Sequence, residues 1–165
     1  MSKIYISLGS NIEREYHIKC GLEALARIFD LPFQALTLSS LFESDAIGFS
    51  GQPFYNMVAG LTCSHSVEQV TALLRNIEFK YGRCENAKKF SPRTLDLDLL
   101  LFDDLICESP AQLPRDEIDK NAFVLWPLSE IAPDLVHPIL DRSYRNLWQS
   151  YDKTQQQLNI VDPCW

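Results

Sequence analysis

Two aspartates separated by one residue are the side chains best suited to chemistry in this sequence. They lie in Arg93-Thr-Leu-Asp-Leu-Asp-Leu-Leu-Leu-Phe102, which has the apolar character of a β-strand. Alternate residues of a strand share a face, so Asp96 and Asp98 point the same way, about 6.5–7 Å apart. Mg²⁺ binds one or two carboxylates and completes its shell with water and substrate phosphate. The pair therefore predicts a magnesium site, with a solvated strand end as the alternative.

A cluster of basic residues precedes the aspartates. From Lys80 to Arg93 the chain has five basic residues and one acidic residue, Glu85, within a sequence of formal net charge −7. Arginines bind phosphate oxygens, and a divalent metal bridges them. The cluster therefore predicts that the aspartates bind a polyphosphate carried on a divalent metal. A solvated charged loop is the alternative.

Two aromatic residues and an amide suggest a second binding element. Asn56 follows Phe54 by two residues and shares its strand face, while Phe123 lies far away in the sequence. Two aromatic rings can enclose a flat heterocycle, and an amide can hydrogen-bond its edge. The alternative is that both phenylalanines are core residues.

The rest of the sequence excludes several other kinds of site. It contains no G-x-x-x-x-G-K-[ST] motif, no G-x-G-x-x-G motif and no Ser/His/Asp triad. Its five cysteines form no Cys-x-x-Cys pair and its three histidines are scattered, which favours reduced thiols and argues against zinc. The net charge of −7 argues against a nucleic-acid partner and against an anionic membrane.

Length and composition predict one globular domain over residues 1–165, because 46% of the residues are hydrophobic and 22% are charged. The chain enters a strand-like segment at once and has no apolar stretch near 18 residues. These features predict a cytoplasmic protein.

The elements that must position these residues can be read from periodicity and capping signals. Strands are predicted at residues 3–8, 36–42, 54–62 and 94–102. Helices are predicted after the capping boxes Ser10-x-x-Glu13 and Ser66-x-x-Gln69, and at 123–131. On the last strand, alternation places Leu101 opposite the aspartates and Phe102 on their side. The order β-α-β-β-α-β predicts an α+β, ferredoxin-like antiparallel sheet with helices packed on it, plus C-terminal extra segments.

The segment Pro92-Arg-Thr-Leu-Asp-Leu-Asp98 resembles the P-R-T-L-D-[LI]-D signature of the 6-hydroxymethyl-7,8-dihydropterin pyrophosphokinase family. Further resemblances follow the same order along the chain: Tyr5-Ile-Ser-Leu-Gly-Ser-Asn11, Gln52-Pro-Phe-Tyr-Asn-Met57, Ile77-Glu78 with Gly82-Arg83, and Phe123-Val-Leu-Trp-Pro-Leu-Ser-Glu-Ile-Ala-Pro133. This folate-pathway family transfers pyrophosphate from ATP to the pterin hydroxymethyl group, releases AMP and uses two Mg²⁺ ions.

The resemblance implies a role for individual residues. Asp96 and Asp98 would hold the two Mg²⁺ ions and form the catalytic set with Arg83 and Arg93. The pterin would bind among Ser44, Asp45, Ile47, Phe54, Asn56 and Phe123, with the two phenylalanines stacked on its faces. ATP would bind among Arg75, Glu78, Arg83, Phe90, Arg93, Leu99 and Arg115, with Glu78 accepting from the ribose.

The sequence departs from the family pattern on the phosphate side. Arg115 stands where the family usually has histidine, Asn121 where it usually has arginine, and Glu85 and Asn86 where basic residues are common. A non-catalytic or substrate-altered pterin-binding paralogue is therefore an alternative to the enzyme, and a protein-interaction module is a third hypothesis. The expected partners are small molecules, with no nucleic acid and no membrane, and the expected assembly is a monomer or a weak homodimer.

Overall fold

The structure, a computed structural model, describes residues 1–44, 53–81 and 94–165. The strands of this part of the chain are β1 (Ser2–Ser10), β2 (Thr37–Leu38), β3 (Leu41–Ser44), β4 (Phe54–Cys63), β5 (Asp96–Phe102) and β6 (Asn159–Val161). Its helices are α1 (Arg14–Ile28), α2 (Val67–Lys80), α3 (Ala122–Ile131) and α4 (Tyr144–Ser150), and a 3₁₀ turn spans Phe33–Ala35. None of the helices in these ranges is both long enough and apolar enough to span a membrane.

The strands form one antiparallel sheet in the order β5-β1-β4-β3-β6, and β2 pairs with β4 beside β3. The four main strands β5-β1-β4-β3 have the ferredoxin-like order, which confirms the predicted fold class. One predicted strand, residues 36–42, is divided into β2 and β3. At the division the Ser39 hydroxyl accepts a hydrogen bond from the Val58 N–H at 2.9 Å, in place of a strand carbonyl.

The two faces of the sheet have different coverings. Helices α1 and α2 pack on one face and enclose the larger apolar core, to which β1 contributes Ile4, Ile6 and Leu8. Helices α3 and α4 pack on the other face against Tyr5 and Val58. The residues of β1 alternate between these two cores, as expected for a strand covered on both sides.

The two predicted capping boxes have different outcomes. Ser66 and Gln69 form a complete capping box at α2, since the Ser66 hydroxyl accepts from Gln69 N–H and the Gln69 side chain accepts from Ser66 N–H. The box predicted at Ser10 is wrong. Ser10 is still part of β1, and its hydroxyl donates to the carbonyls of Ile12 and Thr94. Helix α1 begins later, after Glu13, whose φ of 41° is left-handed.

Candidate active site

Asp96 and Asp98 lie on the face of β5 opposite α1 and α2. Both are partly exposed, whereas Leu97 and Leu99 are buried in the core beneath the helices. In the sheet register Asp96 pairs with Gly9 and Asp98 with Ser7. The predicted common face of the two carboxylates is therefore confirmed, with a spacing of about 6.5–7 Å along the strand.

β5 contains a bulge just beyond the aspartates. Ile6 pairs with Leu99 but Tyr5 pairs with Leu101, so Leu100 is an extra residue in the strand. The extra residue shifts the alternation by one: Leu101 joins the apolar cluster beneath α3 and α4, and Phe102 packs against the core beneath α1 and α2. The predicted faces of Leu101 and Phe102 are therefore wrong. The buried side chains of Leu100 and Leu101 follow directly after the carboxylates, in the cluster beneath α3 and α4.

Arg115 lies beside the aspartates. Its backbone N–H donates to the Leu100 carbonyl at 3.0 Å, and its Nη2 lies 3.4 Å from Oδ1 of Asp98. Burial lowers the pKa of Arg115, but the negative charges of Asp98, Glu117 and Asp96, together with a hydrogen bond to Glu117, outweigh this and raise its pKa above the ordinary value. The guanidinium is therefore a permanent positive charge at the carboxylates.

The carboxylate pair fits Mg²⁺. Carboxylate oxygens are ligands that Mg²⁺ prefers, and Arg115 shows that a cationic group is accommodated beside Asp98. Among the described residues there is no group of three or more His, Cys, Asp or Glu side chains that could enclose a metal. When Mg²⁺ binds with phosphates, it is held by one or two carboxylates and completes its shell with water and substrate, and Asp96 and Asp98 could serve as these carboxylates.

A polar surface lies two strands away from the aspartates on the same face. Gly9 of β1 pairs with Asp96 on one side and with Asn56 on the other. A Cβ atom at position 9 would lie 3.1 Å from Oδ1 of Asn56, so glycine lets the amide lie close over β1. The Asn56 Nδ2 donates to the hydroxyl of Ser44 at 3.0 Å, which fixes the orientation of the amide.

Aromatic residues border this polar surface. Phe54 pairs with Ser44 at the start of β4, and both are partly buried. Helix α3 packs on β3 and β4, where the rings of Trp126 and Phe42 lie 4.8 Å apart. Phe123, in the first turn of α3, is also partly buried and packs against the cluster beneath α3 and α4. The structure therefore brings Ser44, Phe54 and Asn56 together and puts α3 on the same side of the sheet.

Three residues predicted to line the nucleotide lie on the other side of β5. Leu99 is buried in the core beneath α1 and α2, and Arg75 is exposed on α2. Glu78 is buried, and its Oε2 accepts from the Leu97 N–H at 2.9 Å, which ties α2 to β5. These three residues do not share the aspartate face. Since β5 is an edge strand of the described sheet, a ligand along that edge would lie near both faces, and the nucleotide roles of these residues stay predictions.

Several predicted positions lie outside the described residues. They are Asp45 and Ile47 of the predicted pterin wall, Arg83, Phe90 and Arg93 of the predicted catalytic and nucleotide sets, and the departures Glu85 and Asn86.

Arg14 is a residue that the sequence reasoning missed. Its Nη2 lies 2.8 Å from Oε2 of Glu43, its Nη1 donates to the Pro53 carbonyl at 2.8 Å, and its guanidinium lies 3.9 Å from the centre of the Tyr55 ring. Arg14 thus links the chain before and after residues 45–52. No local sequence signal identifies it, because its partners are distant in the sequence.

Comparisons with known proteins identify the family to which the chain belongs. The sequence model of the 7,8-dihydro-6-hydroxymethylpterin-pyrophosphokinase (HPPK) family matches residues 5–133. The chain is 36% identical over 141 residues to the 2-amino-4-hydroxy-6-hydroxymethyldihydropteridine pyrophosphokinase of Pseudomonas aeruginosa, covering 84% of this chain and 85% of that protein. It is 35% identical over 148 residues to the folic acid synthesis protein fol1 of Pneumocystis carinii, covering 88% of this chain and 20% of that longer protein.

The fold is also found among solved structures. The wild-type HPPK-DHPS crystal structure of Plasmodium falciparum superposes with a TM-score of 0.67 at 13% identity, covering 93% of this chain and 46% of that one. At this identity the match shows a common fold alone. The family match over residues 5–133 and the identity to the Pseudomonas aeruginosa enzyme go further, and they show that the chain belongs to the 7,8-dihydro-6-hydroxymethylpterin-pyrophosphokinase family.

Proposed function

We propose that this chain transfers pyrophosphate from ATP to the hydroxymethyl group of 6-hydroxymethyl-7,8-dihydropterin and releases AMP, as a step of folate biosynthesis. One observation carries the proposal within the family: Gly9 is the common register neighbour of Asp96 and Asn56. A carboxylate pair and a ring-reading amide are therefore two strands, about 10 Å, apart on one face. That separation suits a small heterocycle whose hydroxymethyl group reaches metal-bound phosphate.

On the phosphate side, Asp96 and Asp98 would hold Mg²⁺, and two ions are expected. Bound there, Mg²⁺ would neutralise charge on the phosphate oxygens of ATP. Arg115, with Arg83 and Arg93, would bind the phosphates and stabilise the charge that develops during transfer. Arg75, Glu78, Phe90 and Leu99 would complete the nucleotide site.

On the pterin side, Asn56 would hydrogen-bond the polar edge of the ring. Its amide is already oriented by Ser44, so little ordering would be needed on binding. Phe54 and Phe123 would stack on the two ring faces, and Asp45 and Ile47 would complete the wall. Positioning the hydroxymethyl oxygen in line with the β-phosphate is then the main task of this side.

We also propose that residues 1–165 act as one domain, as a monomer or a weak homodimer in the cytoplasm. The acidic net charge of −7 supports small-molecule substrates rather than a nucleic acid or an anionic membrane.

The test is AMP formation from ATP, Mg²⁺ and 6-hydroxymethyl-7,8-dihydropterin. The unsubstituted protein should form AMP, and the double variant Asp96→Ala/Asp98→Ala should not. Asp104→Asn is a matched control, because Asp104 is an exposed carboxylate just beyond β5. AMP formation by the double variant, or its absence with the unsubstituted protein, would contradict the proposal.

A further inference from the structure

Glu117 connects Arg115 to the start of α3. Its Oε1 accepts from Nε of Arg115 at 2.7 Å, and its Oε2 accepts from Nδ2 of Asn121 at 3.2 Å. Arg115 therefore uses Nε for Glu117 while its Nη2 faces Asp98. The Glu117 carboxylate thus contacts one edge of the planar guanidinium, and the candidate metal ligand Asp98 lies beside Nη2.

The Asn121 side chain hydrogen-bonds within this network and does not cap its own helix. It occupies the N-cap of α3, where an asparagine side chain ordinarily accepts from a backbone N–H of the first turn, but it makes no such bond. Its Oδ1 accepts instead from Nε2 of Gln156, and Oε1 of Gln156 accepts from the Ala122 N–H at 2.8 Å. Gln156 thus accepts a hydrogen bond from one backbone N–H of the helix end, and the Asn121 side chain donates to Glu117.

We propose that Glu117 is a positioning residue, anchored by Asn121 and Gln156, that holds Arg115 in place for the phosphates of the nucleotide. The inference rests on the proposed function and deepens it. Without the Glu117 carboxylate, the nearest negative partner of Arg115 is Asp98, and the guanidinium turns toward it. A guanidinium bound more closely to Asp98 competes with Mg²⁺ for that carboxylate and is withdrawn from the phosphates.

The experiment compares Glu117→Gln with Asp116→Asn. Both changes remove one negative charge from the same segment, but Asp116 pairs with Lys120 at 2.6 Å rather than with Arg115. Calorimetric titration with Mg²⁺ and a non-hydrolysable ATP analogue should show about five- to tenfold weaker binding for Glu117→Gln, the scale of a partly exposed charge-assisted hydrogen bond. Asp116→Asn should bind the analogue like the unsubstituted protein, and neither change should alter pterin affinity.

A double-mutant cycle shows whether Glu117 acts through Arg115. In an Arg115→Met background, Glu117→Gln should have no further effect on analogue binding, and Glu117→Asp should restore part of the affinity when Arg115 is present. The same loss from Glu117→Gln in both backgrounds, or equal losses from Glu117→Gln and Asp116→Asn, would overturn the inference. Analogue binding that Glu117→Gln leaves unchanged overturns the inference alone, whereas an unsubstituted protein that binds no analogue overturns the proposed function as well.

Discussion

The two sides of the candidate site are built by different means. On the side proposed to bind the pterin, Asn56 and Ser44 belong to adjacent paired strands and are joined by a neutral hydrogen bond. On the side proposed to bind the phosphates, Asp98 lies on an edge strand of the described sheet. The charged groups beside it, Arg115 and Glu117, follow that strand in the sequence and form ion pairs. Neutral hydrogen bonds are directional, whereas charges act over longer distances and tolerate changes of position.

The resemblance to the family pattern places the predicted departures on one of these two sides. Arg115 and Asn121, the departures that the structure describes, both lie on the charged side and belong to one network with Glu117. Because charges act over longer distances, a positive side chain at another position can make the same electrostatic interaction with the phosphates, provided that its carboxylate partners change with it. The resemblance gives no departure at Phe54, Asn56 and Phe123, the residues predicted to bind the pterin.

The largest effect should come from Asp98→Asn, which keeps the shape of the side chain and removes its charge. We expect AMP formation to fall on the order of 10³-fold or more, because metal and phosphate positioning are both lost. Asp98 is partly exposed, so the fold should be retained, as checked by circular dichroism. Pterin affinity should be unchanged, and turnover near the unsubstituted rate would contradict the metal assignment.

Phe123→Ala is the converse test, because it should weaken pterin binding and leave nucleotide binding unchanged. Loss of ring stacking and of apolar burial should weaken pterin binding by roughly 1–3 kcal/mol in calorimetry. The affinity for the ATP analogue with Mg²⁺ should stay the same. Phe79→Ala is the matched control, since Phe79 is 41% exposed on α2. An unchanged pterin affinity in Phe123→Ala would remove Phe123 from the site.

Arg14→Met tests a charged residue that serves the pterin side structurally. The change removes the ion pair with Glu43 and the hydrogen bond to the Pro53 carbonyl, and it should lower the free energy of unfolding by about 1–2 kcal/mol in urea. Pterin binding should weaken with it, because both ends of residues 45–52 lose their link. Arg145→Met, which breaks the exposed pair with Asp134, should cost less than about 0.5 kcal/mol. Equal losses of stability would contradict the assigned role of Arg14.

The sequence predicts the parts of the molecule that depend on local signals. The helix α2 is an example, because Ser66 and Gln69 cap it within one turn. Apolar alternation likewise identifies the strands and the common face of Asp96 and Asp98. Strand order follows once the β-α-β-β-α-β order is known, since few topologies satisfy it.

Features that depend on distant partners are not predictable in this way. The bulge at Leu100 is defined by the pairing of β5 with β1. The Ser10 hydroxyl does not cap α1 as predicted, because it donates to the carbonyl of Thr94, which is distant in the sequence. The three residues of β6 are recognisable only by their pairing with β3. The support of Glu117 by Gln156 through Asn121 joins residues far apart in the chain, and no spacing rule identifies it.

Gly9→Ala should have the smallest effect of these variants. It tests most directly whether the two sides are separate, because position 9 lies between Asn56 and Asp96. The new methyl group would lie 3.1 Å from Oδ1 of Asn56, so the amide must shift by a few tenths of an ångström. Pterin affinity should fall about two- to fivefold, the cost of a distorted hydrogen bond, while analogue affinity stays constant. Gly21→Ala is the control, since its methyl group would meet Leu8 and Leu95 at 3.2 Å on the helix-covered face and should leave pterin affinity unchanged. If Gly9→Ala weakened pterin and nucleotide binding equally, the two sides would respond as one unit. That result would contradict the proposal that the pterin side and the phosphate side are built independently.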